Sequence, residues 1–234
     1  MSTNKTVLVV EDEADLAEVL RYNFEREGYR CHCVGDGASA LTELHRRMPD
    51  LLILDRMLPG LSGDEVIARL RREPKTAGIP VLLLTAKAEE SDELAGFALG
   101  ADDYVTKPFS MKLLVARADA LLRRVGAPGA GLDVLTVGPA SLDRNRRELK
   151  VNDELVTLTS TEFGILWELM AARGRVLSRE QLIDGVLGTC AVVTDRTIDV
   201  HVAALRKKLG NASTLILTVR GVGYTLRPLP GVGQ

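Results

Sequence analysis

Leu51-Leu52-Ile53-Leu54-Asp55-Arg56-Met57-Leu58-Pro59-Gly60 decides how the chain is read. Four apolar residues in a row, after Pro49-Asp50, describe a short strand buried on both faces, the habit of a central parallel strand. The run ends in a carboxylate, and Pro59-Gly60 forces a turn. Such a sheet binds ligands beyond the carboxyl ends of its strands, so Asp55 stands where chemistry would occur. A lone aspartate there is more often a helix cap or a loop carboxylate. Three other strand ends argue otherwise.

Working outward, Thr6–Val10 is a second apolar strand, followed at once by Glu11-Asp12-Glu13. Pro80–Leu84 is another and ends at Thr85, and the short run Asp103–Thr106 ends at Lys107-Pro108. Between the strands lie segments of helical spacing: Ala14–Glu27, Ala38–Met48, Ser62–Arg72, Glu89–Leu99 and Ser110–Arg124. In the last of these Leu113, Leu114, Ala118, Leu121 and Leu122 are expected to face inward. Tyr29–Val34 alternates apolar and polar residues, which suits an edge strand. Strand and helix alternating five times predict an α/β fold, a flavodoxin-like doubly wound five-stranded parallel sheet of order 2-1-3-4-5. Its switch point falls beside Glu11, Asp12 and Asp55.

Composition sets the bounds. The 234 residues suggest one large or two ordinary domains. No apolar run is long enough for a membrane span, and the polar start Met1–Lys5 is unlike a signal peptide. A cytoplasmic protein without membrane contact is expected. The three cysteines, Cys31, Cys33 and Cys190, show no metal-ligand spacing, and the first two read as core-facing strand residues. Net charge is -2 for the whole chain, the second half being the more basic. That permits a nucleic-acid partner without demanding one.

Three carboxylates at adjacent strand ends repel one another and call for a cation. An all-oxygen site with room for water suits Mg²⁺. Thr85 and Lys107 end the next two strands of the same edge, where a hydroxyl and an ammonium would bind phosphoryl oxygens. The coherent reading makes Asp55 a nucleophile toward phosphorus, with Mg²⁺ and Lys107 neutralising the developing charge. Glu11, Asp12 and Thr85 could each be an ordinary cap, and Lys107 a surface lysine, but all five converge on one edge.

Glu11-Asp12, Asp55, Thr85, Tyr104 and Lys107-Pro108-Phe109 together resemble the signature of a response-regulator receiver domain. The resemblance implies that Asp55 accepts phosphate from a sensor histidine kinase. It implies that Glu11, Asp12, Asp55 and the backbone carbonyl of Met57 hold Mg²⁺. Thr85 and Tyr104 would form the switch pair, and Lys107 would contact the phosphate ahead of a cis bond to Pro108.

After a receiver over residues 1–125, residues 126–132 read as a Gly/Ala/Pro linker, and 133–234 as a second domain. Short strands are expected over Leu135–Val137, Ala140–Leu142, Arg147–Val151 and Leu155–Leu158. Helices follow over Ser160–Ala172, Ser178–Val186 and Thr194–Leu209, then a hairpin over Leu215–Leu226 turning at Arg220–Gly223. Three helices and a hairpin make an α+β winged helix-turn-helix. Arg196, Asp199, His201, Arg206, Lys207 and Lys208 are expected to lie off the apolar stripe Ile198, Val202, Leu205 and Leu209. A basic helix face is usually just solvated; Arg220 at a glycine-rich hairpin tip tips the reading toward DNA.

Thr194–His201, Leu205–Lys207 and Thr218–Tyr224 resemble the winged-helix effector domain of OmpR/PhoB-type regulators. That resemblance implies a non-enzymatic transcription regulator working with promoter DNA, in direct repeats, and with RNA polymerase. The helix from Thr194 would enter the major groove, with Arg196, Thr197, His201, Arg206, Lys207 and Lys208 as contacts, and Arg220 would reach the minor groove. The chain departs from the pattern at Ala203-Ala204, where arginines are common, and at Leu187, where tryptophan is common. Members of this family dimerise through charge pairs on the last two helices and last strand of the receiver. Here Asp103 and Arg117 remain, whereas Glu93, Ala98, Leu113 and Asp119 do not match the remaining partners, Leu113 offering an apolar contact on the same face instead. A weaker homodimer is expected. Two alternatives stand beside this reading. An Asp-nucleophile phosphohydrolase would want a second Asp where Met57 stands. A phosphorylation-independent pseudo-receiver would lack one of the five site residues, and none is lacking.

Overall fold

The computed structural model describes residues 5–86, 99–126, 133–186 and 195–227, without the side chains of 123–126 and 195. The chain forms two compact units, Met1–Val125 and Gly126–Gln234.

In the first unit the strands are β1 (Thr6–Val10), β2 (Arg30–Val34), β3 (Leu51–Asp55), β4 (Val81–Ala86) and β5 (Asp103–Lys107). They form one parallel sheet in the expected order β2-β1-β3-β4-β5. Its helices are α1 (Ala14–Arg26), α2 (Gly37–Arg47), α3 (Gly63–Arg72) and α4 (Met111–Gly126). Alternate residues of the central strands serve opposite layers. Val7, Val9, Ile53, Leu82 and Leu84 pack with Leu20 and Phe24 of α1 and with Leu114, Ala118 and Leu121 of α4. Leu8, Val10, Leu52, Leu54 and Leu83 pack with Leu44 of α2 and with Val66, Ile67 and Leu70 of α3. Each such fully buried aliphatic side chain contributes roughly 1.5–3 kcal/mol, so the central strands anchor the unit.

Leu113 departs from its expected inward position: it is half-buried and outside both clusters. Most element ends differ from expectation by a residue or two, where caps intervene. Ser62, for instance, lies outside α3 as its cap and exchanges hydrogen bonds with Glu65. Of the helix expected over Glu89–Leu99 only Leu99 falls among the described residues, and of the expected linker only Gly126, which ends α4.

A buried ion pair aligns the entry of β4 and β5. Arg71 Nη2 donates to Asp102 Oδ2 at 2.8 Å, and the same oxygen accepts from the Val81 N–H at 2.9 Å. Arg71 also donates to the carbonyls of Ala77, Ile79 and Gly100 at 2.6–2.9 Å. The charge is thereby fully solvated by protein, the condition under which burial is tolerated.

The second unit begins with an antiparallel meander, β6 (Val134–Val137), β7 (Ala140–Asp143), β8 (Glu148–Val151) and β9 (Glu154–Val156). Asn152 and Asp153 both have positive φ and form the tight turn between β8 and β9. There follow α5 (Ser160–Ala171), the two-residue β10 (Leu177–Ser178), α6 (Arg179–Val186), α7 (Asp195–Leu209) and the hairpin β11 (Ile216–Val219) and β12 (Gly223–Leu226). These last strands join β10 in a small sheet ordered β10-β12-β11. Ile198, Val202, Leu205 and Leu209 of α7 enter the core beside Phe163, Leu166 and Leu169 of α5, as their spacing predicts. The architecture is a winged helix-turn-helix.

Candidate functional site

Because all five strands of the first sheet run the same way, their carboxyl ends lie on one edge. Glu11 and Asp12 follow β1, Asp55 ends β3, Thr85 lies near the end of β4 and Lys107 ends β5. Carboxylate oxygens of Glu11, Asp12 and Asp55 all lie within 4.8 Å of one another. Glu11 and Asp55 are buried, and Asp12 is exposed.

Lys107 holds this cluster together. Its Nζ donates to Asp55 Oδ2 at 2.6 Å and to both Glu11 oxygens at 2.9 and 3.1 Å. Burial works against the ammonium, but the hydrogen bonds to Asp55 and Glu11 prevail and hold its pKa above the ordinary lysine value. Burial raises the Glu11 carboxyl pKa, against the pull of Lys107 and reinforced by the charge of Asp55. Chemically this is an oxygen-only, strongly anionic cluster with a single ammonium as counter-ion, which fits a hard divalent cation.

The loop after β3 is shaped around Asp55. The Met57 N–H donates to Asp55 Oδ1 at 2.9 Å, while the Met57 side chain points to solvent. Arg56 turns away and grips Asp64 of α3 through Nε and Nη2 at 3.1–3.2 Å. A Cβ on Gly63 would stand 2.4 Å from the Asp55 carbonyl oxygen and 2.8 Å from the Arg56 Cα, so α3 can start this close only with glycine there. Neither the Arg56–Asp64 pair nor Gly63 was legible beforehand. The sole hint was a glycine just behind a helix-capping serine.

Thr85 is buried, and its hydroxyl donates only a long bond of 3.2 Å to the Ala86 carbonyl. In the register of β4 with β5 it lies opposite Thr106, two residues beyond Tyr104, so Thr85 and Tyr104 share one face of the sheet. Tyr104 is half-buried against the layer containing Leu83 and Ala101. The Lys107-Pro108 bond is cis, as the resemblance implied.

The pair expected at a dimer interface is engaged differently. Arg117 Nη1 donates to both Asp103 oxygens at 2.7 and 2.9 Å, and both residues are buried within their own chain. This corrects their assignment as an exposed intermolecular pair. Asp119 accepts a hydrogen bond from the Tyr29 hydroxyl.

On the second unit, α7 presents a narrower face than its charges suggested. Thr197 and His201 are each 2 % exposed, so their assignment as DNA contacts is corrected: both side chains belong to the interior. The physical reason is the width of the buried stripe, which spans more than the four aliphatic positions on a helix packed from two sides. Lys208 Nζ donates to buried Glu162 of α5 at 2.6 Å. Arg206 Nη2 donates to the Ile216 carbonyl and the Thr218 hydroxyl, each at 2.8 Å, and its guanidinium lies 5.7 Å from the centre of the Tyr224 ring. Arg196, Ala203, Lys207 and Lys208 are the exposed positions of α7 among the described side chains. Arg220 is exposed at the turn between β11 and β12, where the Val222 N–H closes on the Val219 carbonyl at 3.0 Å and Gly221 takes the positive φ that the turn requires.

A network missed in sequence fastens the hairpin to the helix. Tyr224 of β12 donates its hydroxyl to Asp199 Oδ1 at 2.6 Å, and Arg179 Nε donates to the same oxygen at 2.7 Å. Burial and the Asp199 carboxylate together push the Tyr224 pKa up. No local pattern in the sequence signalled it.

No helix among the described residues is long and apolar enough to cross a membrane. The family described as the response regulator receiver domain matches residues 7–119, and the family described as the C-terminal part of transcriptional regulatory proteins matches residues 152–226. The chain is 48 % identical over 222 residues to the phosphate regulon transcriptional regulatory protein PhoB of Rhizobium meliloti, covering 94 % of this chain and 97 % of that one. It is 47 % identical over 229 residues to the sensory transduction protein RegX3 of Mycolicibacterium smegmatis, covering 94 % and 98 %. Among solved structures, a mutant of RitR aligns over 96 % of this chain and 100 % of its own, at 28 % identity and a TM-score of 0.79. DrrB, an OmpR/PhoB homologue of Thermotoga maritima, aligns with the same coverage at 28 % identity and a TM-score of 0.50.

Proposed function

The chain belongs to the two-component response regulators of the OmpR/PhoB type, transcriptional regulators with a DNA-binding effector domain, and from that premise we propose that Mg²⁺-dependent phosphorylation of Asp55 by a sensor histidine kinase is its switch. The observation that carries this reading is the Lys107 ammonium 2.6 Å from Asp55 Oδ2, inside a cluster of three carboxylates. Glu11, Asp12, Asp55 and the Met57 carbonyl would hold Mg²⁺, which supplies charge neutralisation for an incoming phosphoryl group. The Asp55 carboxylate attacks phosphorus, and the P–N bond to the kinase's phosphohistidine breaks, the imidazole leaving with a proton and Asp55 left as an acyl phosphate. Lys107, relieved of part of its duty to Glu11, pairs with the new phosphoryl oxygens. Thr85, whose hydroxyl makes only a long bond, turns toward the phosphate, and Tyr104 follows on the shared face of the sheet.

In the effector domain (residues 133–234 by this division) Arg196, Lys207 and Arg220 meet DNA directly. Arg206 and Lys208 assist from their intramolecular positions. Promoter DNA in direct repeats and RNA polymerase are the partners, in the cytoplasm. The test is intact-protein mass measurement after incubation with Mg²⁺ and a small phosphodonor. One phosphate is expected, lost in Asp55→Ala and in the presence of a chelator. Equal labelling of Asp55→Ala would overturn the assignment.

A further inference from the structure

Cys31 and Cys33 are two residues apart on β2, the edge strand of the first sheet, so their side chains share one face. They are not equivalent. Cys31 is buried against the layer containing Leu20 and Phe24, whereas Cys33 is half-buried, with its Sγ 3.5 Å from the Ala17 carbonyl. Both line an open cavity of about 490 Å³ that has Ala17, Glu18 and Arg21 of α1 on its other wall and Glu11, Asp12 and His32 also along its lining. The two thiols perturb each other: their interaction pulls the Cys33 thiol below the ordinary range and, with burial, pushes Cys31 up. Neither sulfur has a role in the phospho-acceptor chemistry.

We propose that Cys31 and Cys33 form a two-sulfur site for a soft, two-coordinate metal ion of the Cu(I) class, entered through this cavity. The donor set selects the ion. Among the described residues no third His, Cys, Asp or Glu joins the two sulfurs in a ligand-sized cluster. His32 is on the opposite face of the strand, where its Nε2 meets Arg47 Nη1 at 3.1 Å. Structural Zn²⁺ wants four ligands and is not served here. Cu(I) is soft and prefers thiolates. Binding releases two protons, one from each thiol, and leaves a complex of net charge -1. Arg21, which lines the cavity and lowers the pKa of both thiols, is placed to offset that charge.

The test uses the full chain carrying Cys190→Ser, so that the third thiol does not contribute. Cu(I) is presented anaerobically as its complex with a chromophoric chelator. One ion per chain should be withdrawn from the chelator, seen as bleaching and as a single-copper mass shift, and equimolar Zn²⁺ should not displace it. Cys33→Ser and Cys31→Ser should each abolish the withdrawal. Cys33 is only half-buried, so its serine variant should melt at nearly the parent temperature and carries the test even if Cys31→Ser unfolds. Full copper retention by Cys33→Ser, displacement by Zn²⁺, or no withdrawal from the chelator would each overturn the proposal.

Discussion

Arg117 and Asp103 face each other inside a single chain, with two Nη1–carboxylate contacts of 2.7 and 2.9 Å and almost no solvent on either side chain. Removing one member of such a pair leaves an uncompensated buried charge, at a cost of about 3–5 kcal/mol. Arg117→Ala should therefore lower the urea midpoint of the receiver with an unchanged slope. A loss under 1 kcal/mol would show that the pair is solvated in solution and free to reach another copy.

Self-association is the companion expectation. With Arg117 and Asp103 turned inward and Asp119 held by Tyr29, no charge pair among these residues is left to join two receivers. Half-buried Leu113 is then an apolar contact available on that face among the described residues. Sedimentation of the phosphorylated protein should show weak dimerisation that Leu113→Asp abolishes. A tight dimer indifferent to Leu113→Asp would refute this.

Lys107 neutralises Glu11 and Asp55, and a divalent cation would have to share them with it. In Lys107→Ala the metal-free protein should melt lower, and saturating Mg²⁺ should raise its melting temperature by more than it does in the parent. Binding at 100 times Kd is worth about 2.7 kcal/mol, on the order of 10 °C for a domain of this size. Equal Mg²⁺ shifts in the two proteins would exclude competition.

Arg220 and Lys207 should separate in DNA binding. A minor-groove arginine favours narrow A·T tracts, so Arg220→Ala should relax the preference for A·T-rich flanks. Lys207→Ala should weaken all sequences alike and flatten the salt dependence by about one unit of slope. A randomised-site library at two salt concentrations decides it. A uniform loss in Arg220→Ala would reduce the hairpin to an electrostatic anchor.

His45 of α2 supplies a pH dependence. Its Nδ1 meets the Leu41 carbonyl at 2.7 Å and its Nε2 meets Glu73 at 2.6 Å, and these partners raise its pKa. Stability from a raised histidine is fully present below the unfolded pKa and is lost as pH rises through the folded one. The melting temperature of the parent should exceed that of His45→Gln at pH 5.5, and the gap should close by pH 8.5. A gap independent of pH would assign the contact to the neutral ring.

The sheet and its chemistry were legible because β1, β3 and β4 are apolar runs that end abruptly in functional side chains. Glu11, Asp55 and Thr85 were therefore placed on one edge by position alone, and Lys107 joined them as the end of the short β5. The signal failed where polar residues are buried through pairing. Arg117 read as an exposed charge, and Asp102 and Arg71 drew no reading at all, since a sequence lists charges without their partners. His201 and Thr197 read as outward for the same reason: period alone gives the centre of a buried stripe but not its width. Cys31 was rightly expected in the core, whereas the cavity beside Cys33 arises from how α1 seats on β2, which no local pattern records.

The contact between Gly63 and Asp55 carries a consequence for how this regulator can break. Every charged group of the acidic pocket could survive a substitution at position 63, yet a single methyl would collide with the Asp55 carbonyl and lever the start of α3 off the strand that carries the acceptor. A genetic screen for signal-blind alleles should thus recover lesions at a residue that binds nothing and bears no charge. Such alleles would resemble acceptor mutants in the cell while keeping their full complement of acids.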